Sequence, residues 1–432
     1  MLSLGCFLLL LLIGVPVALA VMAAAMLQIA LAGNAALLFS VPQQAFGGIE
    51  SYGLLALPVF ILLGELMGES GAGRRLMALA ARLVGPVPGG LAHVTLLGNA
   101  MLAAILGSTV AQIVLTSRLA VPEMERAGYP RDLAAAVTAA GGLLAPVLPP
   151  SMLFIVYGVI AQVPIGRLFI AGIVPGAAML LGFVGVTVWL ARRGDMPPPP
   201  PAPDRLATGR PAPAAARVMV EALPAALVPL AMVLAILGGL ATAVEAGVIG
   251  ALAVLLIGLF VYRELRLRDL GPALCRTAQS SAMILFLIAA AGLYGWVAAW
   301  QNLPAQVAAV LTGLTDDPVV FLLMVNVMLL ALGMVLDPMP ALVLVVPVFL
   351  PVATDSYGID PMQFGLITCI NLTLGLLTPP VGSGLFTAAR LNAVSPVALT
   401  RRLLPYLGAA GAVLLLLTFV PAASTGLVGL LD

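Results

Sequence analysis

The sequence contains no lysine; all 19 of its basic residues are arginine. A nucleotide-binding loop of the G-x-x-x-x-G-K-[ST] type needs a lysine to reach the phosphates, so ATP hydrolysis by that route is excluded. There is one histidine, His93, and there are three widely spaced cysteines, Cys6, Cys275 and Cys369. One imidazole is too few for a histidine-built metal site or a catalytic triad. The cysteines lie in apolar runs and read as small buried hydrophobes, neither a disulfide framework nor a metal site. Charged residues make up only 9% of the 432 residues and the net charge is +1, which leaves no footprint for nucleic acid.

What the chain has instead is apolar bulk. Hydrophobic residues make up 62% of it and the mean hydropathy is +1.17. A chain of this length cannot bury so much apolar surface within itself, so lipid must cover part of it. The predicted class is an all-α, polytopic membrane protein. The start, "MLSLGCFLLLLLIGVPVALA", has no basic n-region and its apolar pattern continues, so it reads as a membrane helix rather than a signal peptide. Simple spans are expected at about 2–20, 21–39, 53–68, 168–191, 219–240, 244–262, 279–300 and 403–421, each near the roughly 20 residues a crossing needs. Segments 92–122, 130–162, 318–353 and 361–392 are equally apolar but are broken by Gly, Pro and polar residues. A Pro-rich stretch with five Arg and two Asp runs from Arg192 to Arg217, and a second basic loop holds Arg263, Arg266, Arg268 and Arg276. Both are placed in the cytoplasm by the positive-inside rule, and the segment from Gln301 to Pro318, which has no basic residue, on the other side.

The broken segments repeat. Pro149-Pro150 is followed by Pro175 at a spacing of 26, and Pro379-Pro380 by Pro405 at the same spacing. Pro130 and Pro361 precede these pairs by 19 and 18 residues, and further breaks occur at "GSTVAQ" from Gly107 and "GMVLDPMP" from Gly333. Such paired interruptions in two halves point to a transporter's binding site. Proline has no N–H and clashes with the carbonyl one turn back, so a pair of them unwinds a helix. Carbonyls freed in hydrocarbon need another partner, and a desolvated Na⁺, which takes oxygen ligands, is a good one. The following half-helix presents N–H groups to a substrate carboxylate.

The candidate ion ligands are therefore Ser108 with the carbonyls of Ala145, Leu148 and Pro150 in the first half. In the second half they are Gly333, Asp337, Gly375, Thr378 and Pro380. Candidate substrate contacts are Thr109, Ser151, Gly382, Ser383 and Arg390. No catalytic residue and no cofactor is expected; Na⁺ is the coupling ion and the one metal. Two readings stand for Asp337, a place on the pathway or a place at the membrane edge before Pro338 and Pro340. Two stand for Arg390, neutralising a substrate carboxylate or snorkelling to the interface. Two readings also stand for Glu65, a functional carboxylate or the end of a helix near water, and two for Glu245, a functional carboxylate or a helix-start charge favoured by the dipole. His93 reads as a loop or interface residue, and Trp296 and Trp300 as interface anchors.

Several stretches together resemble the large membrane subunit of tripartite ATP-independent periplasmic (TRAP) transporters. They include "GVPVALA" at Gly14, "LPVFILLGELM" at Leu57, "PGGLAHV" at Pro88 and "LAAILGSTVA" at Leu102. Further ones are "VPEMERAGYPRDLAAAVTAAGGLLAPVLPPSM", "LFIAGIVPG" at Leu168, "GMVLDP", "VPVFLPVA" and "GLLTPPVG". The resemblance implies two inverted repeats, each with a re-entrant hairpin and a broken helix, divided between a scaffold and a mobile, elevator-like part. It implies Na⁺-coupled import of an organic acid such as a C4-dicarboxylate or sialic acid across the bacterial inner membrane. It also implies two partners, a small four-helix membrane subunit, expected as a separate chain, and a periplasmic substrate-binding protein. The sequence departs from the family at Val244–Gly247 ("VEAG" for "TEAA"), at Gln112 and at Gly141 and Gly142.

The expected division is scaffold over 1–91, first hairpin and broken helix over 92–162, and a connecting helix over 163–194. The linker follows over 195–217, then scaffold over 218–300, second hairpin and broken helix over 301–392, and a last helix over 393–432. The competing function is a stand-alone ion-coupled organic-anion carrier that needs no binding protein. An intramembrane enzyme is disfavoured by the single histidine, the missing lysine and the scattered acids. A channel is disfavoured because the breaks pair into closed sites.

Overall fold

The computed structural model describes residues 2–33, 35–85, 87–197 and 215–430, and among these every regular element is helical. The first half runs α1 (Leu2–Leu12), α2 (Val17–Leu31), α3 (Val41–Gly47), α4 (Ala56–Glu69), α5 (Ala72–Val84), α6 (Gly90–Leu106), α7 (Thr109–Arg126), α8 (Arg131–Gly142), α9 (Met152–Ile160) and α10 (Ile165–Arg192). The second runs α11 (Ala215–Leu237), α12 (Ala243–Leu256), α13 (Leu267–Trp300), α14 (Leu303–Thr312), α15 (Pro318–Val335), α16 (Pro338–Pro351), α17 (Pro361–Leu377), α18 (Ser383–Leu391), α19 (Pro396–Phe419) and α20 (Ala422–Gly429). Among the described residues, eight helical stretches can cross a membrane by length and composition. Residues 198–214 of the expected linker lie outside the described residues.

The two halves share one plan. Helices α6 and α7 form a hairpin that turns at Gly107 and Ser108, and α15 and α16 form one that turns at Leu336 and Asp337. Each is followed by a helix broken at a Pro-Pro pair: α8 and α9 around Pro149-Pro150, α17 and α18 around Pro379-Pro380. A long return helix, α10 or α19, completes each set.

Contacts fix the relative sense of the repeats. Arg402, near the start of α19, reaches Asp132 in the first turn of α8 (3.3 Å) and Asp195 just beyond α10 (3.5 Å). The start of α8 therefore lies on the side where α10 ends. The start of α17 lies on the other side, where the Tyr157 hydroxyl of α9 donates to the Pro361 carbonyl. Asn392, just past α18, donates to the Ser117 hydroxyl of α7 at 3.1 Å. Equivalent helices thus run in opposite directions, and the repeats are inverted and interlocked.

Helices α8 and α17 form the centre. From Leu133 to Gly142 and from Gln363 to Leu377 every residue is buried. Lipid tails are as apolar as leucine, so close packing and hydrogen bonds hold such helices in place. Two buried amides supply those bonds. Gln112 donates to the Asn99 carbonyl (2.8 Å), its Oδ1 (2.9 Å) and the Gly141 carbonyl (3.2 Å), tying α7 to α6 and α8. In the second half Asn371 donates to the Asn326 carbonyl (2.9 Å) and its Oδ1 (2.7 Å), tying α17 to α15. Around this body lie α2, α4, α12 and α13, packed on one another.

Some details depart from expectation. The spans at 2–20 and 21–39 are replaced by α1 and α2, which meet at Gly14 (φ +84°) and Pro16, a pair that stops helix propagation. The segment after Gln301 contains the apolar helix α14, with Pro304 in its first turn, where proline fits a helix. His93 is buried rather than at an interface, because the helix starts at Gly90 and places it in the first turn. Cys369 is buried, Cys6 is intermediate and Cys275 is exposed, since a membrane helix can turn a thiol to lipid as readily as inward.

Candidate functional site

Three Asp-Pro pairs open three helices of the second half. At Asp317-Pro318 and Asp360-Pro361 the carboxylate caps its helix, accepting from the backbone N–H of Val319 and of Met362, each at 2.7 Å. At Asp337-Pro338 it does not. Asp337 makes no capping bond and instead accepts from the Ser383 hydroxyl at 2.8 Å, at the first residue of α18. The hairpin turn is thereby tied to the far end of the Pro-Pro break, and among the described residues no donor reaches the second carboxylate oxygen.

The backbone around this tie is tight. At Gly375 a Cβ would come within 2.7 Å of Gly333, so α15 and α17 touch backbone to backbone where the hairpin nears its turn. At Gly382 a Cβ would meet the carbonyl oxygens of Leu376 at 2.5 Å and Thr378 at 2.8 Å. The Gly375 carbonyl accepts from the Thr378 N–H and the Thr378 carbonyl from the Gly382 N–H. Each keeps a second lone pair, and among the described residues no donor reaches the Pro380 carbonyl.

The first break is more enclosed. Ser151 is fully buried; its hydroxyl donates to the Pro146 carbonyl at 2.6 Å and accepts from the Phe154 N–H at 3.3 Å. It is engaged as the cap of α9. The carbonyls of Ala145, Leu148 and Pro150 receive no donor among the described residues. Ser108 caps α7, accepting from Ala111 N–H at 3.5 Å.

A cavity of about 1050 Å³ separates the two hairpin turns from the surrounding helices. Ser108, Thr109, Pro146, Asp337 and Leu376 line it from the inner body. Glu65 and Glu69 of α4 and Arg276, Gln279 and Ser280 of α13 line it from the outer one. Ser108, Thr109 and Asp337 are thus brought together. Ser151, Gly382, Ser383 and Arg390 are not among the lining residues, nor are Ala145, Leu148, Pro150, Gly333, Gly375, Thr378 and Pro380, and Arg390 sits exposed in the last turn of α18. The outer wall differs from expectation: Arg276, expected in a basic loop, lies inside α13, because that helix begins at Leu267, and Glu65, for which a helix end was one of two readings, pairs with it in the cavity wall. Its signal was present as "CRTAQSS", a charged and polar run that opens the apolar stretch of α13. Arg276 Nε donates to Glu65 at 2.6 Å and Nη2 to Glu69 at 2.8 Å. Three carboxylates against one guanidinium give the lining a formal balance of −2. Glu245, by contrast, completes a capping box with Thr242, in keeping with a helix-start charge.

Residues 4–423 match the family model described as "Tripartite ATP-independent periplasmic transporter, DctM component". The chain belongs to this family. Membership identifies a transporter component rather than an enzyme, and with eight candidate crossings a multi-pass membrane protein. The chain is 36% identical over 422 residues to the isethionate TRAP transporter permease protein DctMQ of Oleidesulfovibrio alaskensis, covering 97% of this chain and 64% of that longer protein. It is 34% identical to the C4-dicarboxylate TRAP transporter large permease protein DctM of Pseudomonas aeruginosa, covering 88% and 86% of the two. It is 32% identical to the sialic acid TRAP transporter large permease protein SiaM of Vibrio cholerae, covering 91% and 90%. The crystal structure of the YdaH transporter of Alcanivorax borkumensis shares the fold, with a TM-score of 0.64 at 18% identity, covering 92% of this chain and 90% of that one.

Proposed function

We propose that this chain is the large membrane component of a secondary importer, and that it moves a small organic acid inward together with Na⁺. The acid is delivered by a periplasmic binding protein, and a small membrane subunit completes the assembly in a bacterial inner membrane. The observation that carries the reading is the cavity between the hairpin turns and the outer helices, whose lining has a formal balance of −2. An organic anion entering such a space is repelled until cations enter with it. The turns offer Asp337 and the Ser108 hydroxyl, and the Pro-Pro breaks behind them offer carbonyls at Ala145, Leu148, Pro150, Gly375, Thr378 and Pro380, all oxygen ligands of the kind Na⁺ binds. The relatives named for isethionate, C4-dicarboxylate and sialic acid transport support a carboxylate or sulfonate as cargo. The volume is of the size that takes a small ligand. The inner body of hairpins and broken helices moves as a unit against α2, α4 and α13, with its two turns carrying ions and acid.

The test is uptake into proteoliposomes containing this chain, its small subunit and its binding protein, with labelled succinate, isethionate and N-acetylneuraminate offered in turn. Accumulation of one acid under an inward Na⁺ gradient, and none under an inward choline gradient, is the expected result. Uptake indifferent to Na⁺ removes the coupling, and uptake without binding protein favours a stand-alone carrier.

A further inference from the structure

Among the described residues, one cationic side chain, Arg276, lines the cavity. Arg276 lies nine residues into α13, about 13 Å along its axis from the start. It faces Glu65 and Glu69 from α4, and both acids line the same space. Its side chain is 42% exposed, and those of Glu65 and Glu69 are 28% and 46% exposed. All three side chains are only partly buried and face the cavity, so the pair is weaker than one sealed in the interior. Of the five N–H donors of the guanidinium, the two bonds to Glu65 and Glu69 use one on Nε and one on Nη2. The unused donors form part of a planar fork that matches a carboxylate or sulfonate. Across the cavity stand the hydroxyls of Ser108 and Thr109.

We infer that Arg276 is the receptor for the acid group of the cargo, and that Glu65 and Glu69 are stand-ins that hold it between loads. The incoming anion displaces them from the guanidinium, and they reclaim it as the anion leaves, so a single arginine binds the acid without trapping it. This rests on the transport reading above and names a residue outside the hairpin turns as its specificity element. A brace between α4 and α13 makes a different demand. If the three side chains only clamp two helices, removing either partner weakens the protein in the same direction. If they compete with cargo, removing the arginine and removing the acids have opposite effects on affinity.

The experiment uses the three-component proteoliposomes and whichever of succinate, isethionate and N-acetylneuraminate the wild type accumulates. In R276Q the apparent KM rises roughly tenfold to a hundredfold, as expected for losing hydrogen bonds to a charged group. R276K keeps the charge but not the fork and falls between. In the double variant E65Q/E69Q the KM falls and kcat falls with it, because release slows. Unfolding midpoints of each purified variant separate these effects from loss of fold. If R276Q cannot be reconstituted, R276K and E65Q decide the matter by moving KM in opposite directions. A KM unchanged in R276Q and R276K, or raised in E65Q and E65Q/E69Q, overturns the inference while Na⁺-driven uptake by the wild type leaves the transport reading standing. Wild-type vesicles that accumulate none of the acids overturn both.

Discussion

Gly375→Ala adds one methyl group where the structure has no room for it. Its Cβ would sit 2.7 Å from the Cα and carbonyl carbon of Gly333 and 3.0 Å from the Leu330 carbonyl oxygen. Carbon atoms rest at about 3.5–4.0 Å, so α15 and α17 must part by roughly 1 Å. Both partners are backbone, so no side chain can swing aside. Overpacking of this kind costs about 1–3 kcal/mol. The displacement also reaches the site. Asp337 follows Gly333 by four residues, and its 2.8 Å bond to Ser383 stretches past the limit of a hydrogen bond if the helices separate by that amount. The assay is thermal unfolding of the purified chain in detergent, with Na⁺ exchanged for choline at constant ionic strength. Wild type gains stability with Na⁺ as RT ln(1 + [Na⁺]/Kd). Gly375→Ala has a lower midpoint and a flatter Na⁺ response. Gly408→Ala is the control, since a Cβ there meets nothing within 4 Å. A Gly375→Ala protein with the midpoint and Na⁺ response of Gly408→Ala would refute the reasoning.

Asp337→Asn keeps the shape and removes the charge; Na⁺-driven uptake falls and the Na⁺ concentration for half-maximal rate rises, and wild-type kinetics would make the residue structural. Ser383→Ala, which removes the bond at 2.8 Å, shifts that concentration in the same direction but less. Gln112→Leu leaves the buried Asn99 Oδ1 without its donor, at a cost of about 1–3 kcal/mol, visible as a lower unfolding midpoint.

The parts of the fold that follow from local chemistry were legible in the sequence. Two Pro-Pro pairs at a repeated spacing placed both broken helices, because proline's effect on a helix needs no distant partner. Apolar length found the long crossings for the same reason. The outer wall of the cavity was not legible. Arg276 meets Glu65 across 211 positions of sequence, and nothing local distinguishes Glu65 from a charge at the end of a helix. Ser151 shows the reverse error of proximity. It adjoins Pro149-Pro150 and so looked available to a substrate, but an N-cap position and a carbonyl five residues back engage its hydroxyl. Asp337 could be seen as unusual; that it forgoes its own helix for Ser383, 46 positions away, could not.

The interlocking of the halves has a consequence for synthesis. Tyr157 meets its acceptor on Pro361, which is 204 residues later. At a translation rate of 5–20 residues per second that separation is on the order of 10–40 s. Throughout this interval the leading half sits in the bilayer with the face it will give to α17 still turned to lipid or to the insertion machinery. Biogenesis therefore includes a waiting period, and a slow stretch of codons between 198 and 361 would lengthen it without altering a single residue of the finished protein.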